Sequence, residues 1–266
     1  MVLKRFLRSK LMSKSAGPFL PEGRRVYAIG DVHGRLDLLD QILEAIDLDH
    51  SARGEAERTL IFLGDLVDRG PDSFGVIERL IALRDSGVDV RFLMGNHDEM
   101  LLKGALRDPK AVRFLTRNGG RETILSYGVG AEEYQEASFP ELAQILSERV
   151  PAEHRDFLAS FEDYVELGDY LFVHAGVRPG VALADQLPAD LRWIRNEFLS
   201  HRDSHGKMIV HGHSISDEPE KKSNRIGIDT GAFATGRLTA LGLEGSERWF
   251  LSAVGEADER WGRLSD

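Results

Sequence analysis

RVYAIGD at residues 25–31 begins a repeated pattern, in which an apolar run ends in a glycine and a polar residue. RTLIFLGD at residues 58–65 and DVRFLMGNHD at residues 89–98 repeat it, and each run predicts a buried strand that ends in a loop. The segments at 36–48, 72–87 and 99–108 have the apolar spacing of helices. The alternation of strands and helices predicts an α/β fold with a mostly parallel sheet covered by helices.

The second half of the chain continues with strands after a more helical stretch. Residues 109–167 predict a helical insertion near the rim of a cleft, and they contain NGGRETILSYG at residues 118–128. Further strands are predicted at residues 170–176, 207–213, 225–231, 237–244 and 247–254. No internal repeat or linker interrupts the chain, so residues 18–266 are predicted to form a single domain.

Composition excludes several classes of protein. The 266 residues carry a formal net charge of −10, whereas a protein that binds nucleic acid usually has a basic excess. The absence of cysteine excludes thiolate metal sites and cysteine nucleophiles. No apolar run is long enough to span a membrane, and the cytoplasm is the expected location.

Residues 1–17 form a basic segment that we expect to be flexible. Leu3, Phe6, Leu7 and Leu11 have helical spacing, with basic residues between them. This pattern is typical of a helix that binds weakly to a membrane surface or a partner. The alternative is a frayed or packed terminal segment.

Polar residues gather where the predicted strands end. They are Asp31, His33, Asp65, Asp68, Asn96, His97, His174 and His213. Each alone could be a satisfied buried residue, but burying so many polar groups without partners would cost several kcal/mol each, in the range of about 2–7. The carboxyl ends of strands in α/β sheets are also where ligands bind. A metal centre accounts for the gathering.

The mixture of carboxylate, imidazole and amide groups indicates Mn, Fe, Zn or Co rather than Ca. These residues exceed what one ion uses. Two ions about 3.5–4 Å apart, bridged by a carboxylate, fit the number of donors.

Five short blocks carry a resemblance to a known family. They are GDVHG (30–34), GDLVDRG (64–70), GNHD (95–98), HAG (174–176) and HGH (211–213), in this order. The chain from about Arg25 to beyond Thr239 resembles the phosphoprotein phosphatase family of metallophosphoesterases. NGGRETILSYG, WIRNEF (193–198) and IDTGAFATGRLTAL (228–241) resemble its bacterial and phage branch. The resemblance implies a calcineurin-like fold, in which two packed mixed β-sheets form a sandwich flanked by helices.

The resemblance also implies a role for each matching residue. Asp31, His33 and Asp65 would hold the first metal ion. Asp65, Asn96, His174 and His213 would hold the second, with manganese the expected metal and iron or zinc as alternatives. A hydroxide that bridges the ions would attack phosphorus directly.

The remaining roles that the resemblance implies concern the phosphate and the leaving group. His97 would protonate the leaving oxygen, and Asp68 would orient His97. Arg69 and Arg195 would bind the phosphoryl oxygens, because their forked guanidinium groups fit a phosphate.

Other conspicuous residues receive structural interpretations. Asp98 is expected to be structural and His211 to lie behind the metal ligands. Trp193 is expected in the core or an interface, with a stacking position at the cleft rim as the alternative. Asp229 is expected to shape the floor of the site through backbone contacts. The expected exposed features are His50, His154, His201, His205 and the basic loop KKSNR at residues 221–225.

Two enzymatic functions fit these blocks. The first is a protein phosphatase acting on phosphoserine and phosphothreonine, with phosphotyrosine left open. The second is a symmetrical dinucleoside tetraphosphatase or another nucleotide phosphohydrolase, which would use the same metal centre. A non-catalytic binding module is a third hypothesis, and the intact set of site residues argues against it.

Overall fold

The computed structural model of the protein describes residues 17–258 and residue 260. The predicted basic segment therefore lies outside the described residues, apart from Gly17. The strands are β1 (Arg24–Ile29), β2 (Glu57–Phe62), β3 (Val90–Phe92), β4 (Tyr164–Leu167), β5 (Tyr170–Val173), β6 (Met208–His211), β7 (Glu220–Lys221), β8 (Arg225–Gly227), β9 (Arg237–Glu244) and β10 (Glu247–Val254). The helices are α1 (Leu36–Ala52), α2 (Ser73–Asp85), α3 (Asn96–Ala105), α4 (Pro109–Arg117), α5 (Gly120–Ser126), α6 (Ala131–Glu136), α7 (Phe139–Arg149), α8 (Ala152–Ala159), α9 (Pro188–Trp193), α10 (Asn196–Ser200) and α11 (Ala232–Thr235).

The strands form two mixed sheets. The first has the order β10-β9-β1-β2-β3, and the second has the order β4-β5-β6-β8-β7. In the first sheet β1, β2 and β3 are parallel, whereas β9 and β10 pair antiparallel. In the second sheet β5, β6 and β8 are parallel, and each edge strand is antiparallel to its neighbour. The predicted α/β fold with two mixed sheets and flanking helices is confirmed.

The alternation of side chains along the strands explains why the sheets pack face to face. Val26 and Ala28 of β1 lie in an apolar cluster with Tyr170 and Phe172 of β5. The intervening Tyr27 and other residues of the opposite face of β1 lie in a second cluster with the helices. Because successive side chains of a strand point to opposite faces, β1 is buried on both sides.

The helices cover the outer faces with residues at helical spacing. In α1 the buried residues are Leu38, Leu39, Ile42, Leu43 and Ile46. Helix α2 begins after Asp72, whose side chain accepts a hydrogen bond from the backbone N–H of Gly75. No helix in the described part of the chain is long and apolar enough to cross a membrane.

Several predicted boundaries were wrong. The strands predicted to end at residues 176, 213 and 231 end at Val173, His211 and Gly227. The predicted insertion at 109–167 is helical from α4 to α8, but residues 164–167 form β4 at the edge of the second sheet. The third predicted strand was too long, because β3 ends at Phe92 and Asn96 already begins α3. The cause is local: the Asp98 carboxylate accepts the backbone N–H of Gly95 and starts a helix there.

Candidate metal centre

The carboxyl ends of parallel strands from both sheets meet at one place. Asp31 and His33 follow β1, Asp65 follows β2, and the start of α3 follows β3. From the second sheet, His174 follows β5 and His213 follows β6. All the predicted ligands are buried: Asp31, His33, Asp65, Asn96, His174 and His213.

Asp65 stands between two groups of possible metal ligands. Its carboxylate lies with His33 and His97 in one group and with His174 and His213 in the other, and within each group the ligand atoms are within 4.8 Å of one another. Asp65 Oδ2 is 3.6 Å from His33 Nε2, and Asp65 Oδ1 is 3.5 Å from His174 Nε2. This arrangement suits a carboxylate that bridges two cations. Which residue binds which cation remains our prediction.

The remaining two predicted ligands adjoin these groups. Asn96 Oδ1 is 3.0 Å from His174 Nε2, next to the second group. Both oxygens of Asp31 accept the backbone N–H of His213, at 3.1 and 3.2 Å. Asp31 therefore lies between the loop after β1 and the loop after β6.

The histidines are oriented as metal ligands require. Nδ1 of His33 is 2.7 Å from the carbonyl oxygen of Val67, and Nδ1 of His174 is 2.8 Å from that of Leu63. A carbonyl only accepts, so each Nδ1 carries the proton and donates it. The lone pair of each Nε2 then faces the carboxylates, which is the usual orientation of a metal-binding histidine.

The protein alone does not supply enough positive charge to balance the carboxylates of the metal centre. Burial raises the pKa of Asp31 well above its ordinary value, and the nearby charges of Asp229 and Asp65 add to the rise. Burial lowers the pKa of His213 to about 2 and that of His33 well below its ordinary value. Neutral imidazoles cannot offset the buried carboxylates, whereas divalent cations would.

Asp65 differs from its neighbours in its pKa. Burial raises the pKa of the Asp65 carboxyl, whereas positive charge on the imidazoles of His174, His97 and His33 lowers it, so the resulting pKa is far below the ordinary value. Of these three imidazoles only His97 has a raised pKa, so the remaining positive charge beside Asp65 would come from metal ions. The donors and charges of this site fit two divalent cations.

The backbone of the site is held in an uncommon conformation. Among the described residues, six that are not glycine have positive φ, and five of them belong to the predicted site: His33, Asp65, Asp68, Arg69 and His213. Each such residue costs about 1–3 kcal/mol and persists only where its surroundings impose it. The positive φ values at these five residues therefore lower the stability of the fold, and they direct the side chains toward the metal centre.

His97 and Asp68 form the predicted pair. His97 Nδ1 is 2.7 Å from Asp68 Oδ2, and both side chains are buried. Burial lowers the pKa of His97, but the carboxylates of Asp65 and Asp68 raise it more, so the net shift is upward. A raised pKa favours the protonated imidazole that an acid needs.

The Arg69 side chain contacts the imidazoles of His33 and His97. Its guanidinium nitrogens are 2.7 Å from His33 Nε2 and 3.0 Å from His97 Nε2. Since arginine only donates, His97 Nε2 accepts here and its Nδ1 donates to Asp68. The backbone N–H of Arg69 donates to the carbonyl of Gly119 at 2.8 Å.

Arg195 approaches from the opposite sheet. It precedes α10, is largely exposed, and donates from Nε to His213 Nε2 at 3.0 Å. Arg69 and Arg195 therefore contact histidines of the two different ligand groups. That both arginines bind the phosphoryl oxygens remains our prediction.

Replacing Arg195 by Ala is expected to lower kcat/KM for an aryl phosphate by about 10- to 100-fold, because a charge-assisted hydrogen bond contributes about 1.5–3 kcal/mol. Arg195→Lys should recover only part, since lysine lacks the planar fork. Arg202→Ala, an exposed arginine seven residues later, is the matched control. Steady-state kinetics check the effect, and wild-type kinetics in Arg195→Ala would remove this residue from the site.

Two residues have the structural roles that were predicted. The Asp98 carboxylate accepts the backbone N–H groups of Leu66 and Gly95, and so ties the loop after β2 to the start of α3. Burial and the charge of Asp65 raise its pKa to about 7. Asp229 accepts the backbone N–H of Gly231 beside the buried carboxylates, and burial raises its pKa to about 6.

The predictions for the outlying histidines need correction. His154 was predicted to be exposed but is buried, with Tyr127 and Glu78 as hydrogen-bond partners. His50, His201 and His205 are half-buried. Sequence neighbours did not reveal the burial of His154, because its partners Tyr127 and Glu78 are distant in the chain. His211 is buried against Phe198 outside both ligand groups, and burial lowers its pKa to about 4.

Trp193 and the KKSNR loop differ partly from expectation. Trp193 is half-buried, packs edge-on against Phe114 and donates to Glu99, so it lies between the core and the rim. In residues 221–225 the two lysines are exposed, but Asn224 and Arg225 are buried, and Arg225 begins β8. Lys221 ends β7, so only Lys222 and Ser223 form an exposed loop.

Sequence reasoning missed the support that the insertion gives to the site. A Cβ atom at Gly119 would lie 2.5 Å from Arg69 Cγ, and Gly119 has a φ of +95°. Glycine is needed there because any side chain would displace the arginine. The paired glycines of NGGRETILSYG were the available signal, but their partner lies about fifty residues earlier in the chain.

The fold and this arrangement agree with comparisons to known proteins. The sequence profile of the calcineurin-like phosphoesterase family matches residues 24–230. The chain therefore belongs to the calcineurin-like phosphoesterase family, and it is a hydrolase of the metallophosphoesterase type. The structure brings together histidine and aspartate side chains that could bind metal ions, as a metallophosphoesterase requires.

Particular relatives and structures share most of the chain. The asymmetrical bis(5'-nucleosyl)-tetraphosphatase PrpE of Bacillus thuringiensis (strain Al Hakam) is 29% identical over 227 residues, which cover 80% of this chain and 88% of that protein. PrpE of Bacillus subtilis (strain 168) is 28% identical over 238 residues, with the same shares covered.

Solved structures show the same fold. A protein provisionally assigned as a diadenosine tetraphosphatase has a TM-score of 0.60 at 22% identity, with 87% of this chain and 95% of that chain covered. The cold-active protein-tyrosine phosphatase of a psychrophilic Shewanella species has a TM-score of 0.52 at 19% identity, with 88% and 83% covered.

Proposed function

We propose that this chain hydrolyses the phosphoric anhydride chain of dinucleoside polyphosphates. The curated relatives that span most of this chain are named for that activity. Protein phosphatase activity, the first function that the sequence blocks suggested, has less support, because a structural likeness at 19% identity speaks only for the fold. Nucleotide phosphohydrolase activity, the second function, is favoured. The relatives are named asymmetrical rather than symmetrical, and we extend the proposal accordingly.

One observation on this chain carries the proposal: a cationic segment borders the centre. Residues 109–121 contain Lys110, Arg113, Arg117 and Arg121 and no acidic residue, in a chain of net charge −10. Among the described residues, Arg113 and Arg117 have no ion-pair partner, and both are exposed on α4. A substrate with several phosphates has charge beyond the scissile phosphorus for such a segment to bind.

The cationic segment lies on the side of the proposed acid. Phe114, between the two free arginines, packs against the His97 ring with centroids 5.7 Å apart. Gly119 at the end of the segment holds the backbone of Arg69. The departing nucleotide would therefore leave toward Arg113 and Arg117, whereas the leaving side of a phosphoserine peptide carries no obligatory negative charge.

The residues of the centre would divide the work of hydrolysis. When bound, two divalent cations, with manganese as the expected metal, would supply positive charge to the phosphoryl oxygens and a nucleophilic water at neutral pH. Arg69 and Arg195 would bind the equatorial oxygens, where negative charge is spread in the transition state. Once Arg69 has moved from His97 Nε2 to the phosphoryl oxygens, His97, held by Asp68, would take a proton from solvent on Nε2 and deliver it to the leaving oxygen. The predicted cytoplasmic location is part of this proposal.

The deciding experiment compares substrates of the purified protein with manganese. We expect diadenosine tetraphosphate to give a higher kcat/KM than phosphoserine and phosphotyrosine peptides, and chromatography to show AMP and ATP as products. Two molecules of ADP would instead indicate a symmetrical cut. A phosphopeptide preferred over the dinucleotide would overturn the proposal.

Changing both Arg113 and Arg117 to Ala tests the cationic segment. We expect KM for diadenosine tetraphosphate to rise several-fold, up to about 30-fold, because exposed charge contacts contribute up to about 1 kcal/mol each. KM for 4-nitrophenyl phosphate should stay unchanged, and the difference should shrink at high salt.

The matched control carries the same charge change at the amino ends of β1 and β2, away from the centre: Arg24→Ala with Arg58→Ala. It should leave both KM values at the wild-type level. An equal rise in KM for both substrates in Arg113→Ala/Arg117→Ala would show that the cationic segment does not bind the additional phosphates of the dinucleotide.

A further inference from the structure

Thr123 of α5 joins the helical insertion to the proposed proton donor. Its hydroxyl donates to Asp68 Oδ1 at 2.7 Å and accepts the backbone N–H of Asp68 at 2.9 Å. The other oxygen of that carboxylate, Oδ2, is the one that meets His97 Nδ1. Thr123 and Asp68 are both fully buried and lie 55 residues apart in the chain.

Ser73 at the start of α2 completes this contact. Its hydroxyl accepts the backbone N–H of Asp68 at 3.0 Å and is 2.8 Å from the Thr123 hydroxyl. Two helices, α2 and α5, thus hold one residue. Asp68 needs the restraint because it and Arg69 have φ values of +73° and +70°, which residues other than glycine rarely adopt.

The direction of the Thr123 hydroxyl is not the one that a helix alone would give. A threonine in a helix commonly bonds back to the carbonyl four residues earlier, which here belongs to Gly119. That carbonyl instead accepts the backbone N–H of Arg69. The Thr123 hydroxyl and the Gly119 carbonyl therefore both form hydrogen bonds with the loop that carries Asp68 and Arg69.

We infer that Thr123 is a positioning residue for proton donation: it fixes the Asp68 carboxylate, which in turn fixes the His97 ring. Within the described residues Thr123 supplies the side-chain donor to Asp68 Oδ1. Without it the carboxylate is free to rotate, and the hydrogen bond from Oδ2 to His97 loses its direction. The inference rests on the proposed role of His97 as the acid.

The test measures the dependence of the rate on the leaving group. A series of substituted phenyl phosphates, from phenyl to dinitrophenyl, is hydrolysed by the wild type, Thr123→Val, Thr123→Ser and His97→Asn with manganese. We expect Thr123→Val to lose about 10- to 100-fold on phenyl phosphate, the range that groups orienting functional histidines contribute. The loss should be much smaller on dinitrophenyl phosphate, whose leaving group needs no proton.

Two variants separate positioning from folding. Thr123→Ser keeps the hydroxyl and should restore the wild-type slope against leaving-group pKa. Thr59→Val also removes a buried threonine hydroxyl that donates to an aspartate, Asp89, at the far end of β2. It should keep the wild-type slope whatever its effect on stability.

The double variant His97→Asn/Thr123→Val shows whether Thr123 acts through His97. If it does, adding Thr123→Val to His97→Asn should cost no further rate on phenyl phosphate. If the double variant lost the product of the two single losses, the inference would be overturned. A loss in Thr123→Val that is equal for all phenyl phosphates would overturn it as well. A wild-type slope in His97→Asn would overturn it too, by removing the acid. All these measurements use phenyl phosphates. The inference about Thr123 can therefore fail or hold independently of the proposal that the substrate is a dinucleoside polyphosphate.

Discussion

Replacing Asp65 by Asn is expected to abolish hydrolysis of 4-nitrophenyl phosphate in the presence of manganese. Asp65 is the residue shared by both groups of candidate ligands, and its carboxylate lies between their imidazoles. An amide has no charge and places N–H groups where lone pairs are needed. Because bound metal contributes several kcal/mol to the transition state, the loss should be at least about 10³-fold.

Asp72→Asn is the matched control for this variant. Asp72 caps α2, and asparagine caps a helix about as well as aspartate. Its activity should stay near the wild-type value. Circular dichroism should show both variants folded, and metal analysis should show lower manganese content only in Asp65→Asn. Retained activity in a folded Asp65→Asn protein would refute the proposal of a shared bridging ligand.

Replacing His97 by Asn is expected to slow substrates with poor leaving groups far more than those with good ones. A positioned acid contributes about 10²- to 10⁴-fold, and only where the leaving oxygen needs a proton. Phenyl phosphate should lose activity within that range, and dinitrophenyl phosphate should lose little. The measurement is kcat for both substrates under saturating conditions.

His201→Asn is the control for the loss of a half-buried imidazole outside the site. Its side chain touches none of the candidate ligands in the described residues, so both rates should be unchanged. If His97→Asn lost the same factor on both substrates, its role would be in binding or structure rather than in proton transfer.

Local patterns predicted most of the fold. The ranges predicted for β9 and β10, residues 237–244 and 247–254, are those observed, because Gly236, Gly245 and Gly255 mark where these strands begin or end. The predicted strand at 89–98 failed because apolar composition cannot mark the residue where a capping carboxylate begins a helix. β4 was missed because it is four residues long and is stabilised by its pairing with β5.

The candidate site could be predicted in part for a different reason. Residues at the carboxyl ends of neighbouring parallel strands must meet, so Asp31 and Asp65 could be grouped from the sequence, whereas the position of His174 depends on how the second sheet packs against the first. Arg195 came from the resemblance alone, and the structure places it beside His213. The contact of Thr123 with Asp68 depends on how α5 packs against the loop after β2, which no local pattern encodes.

Anomalous scattering from crystals of the manganese-loaded protein tests the two-metal centre most directly. We expect two peaks about 3.5–4 Å apart, with Asp65 between them. Asp31 and His33 should lie at the first peak, and Asn96, His174 and His213 at the second. A single peak, or peaks that do not share Asp65, would contradict the two-metal account.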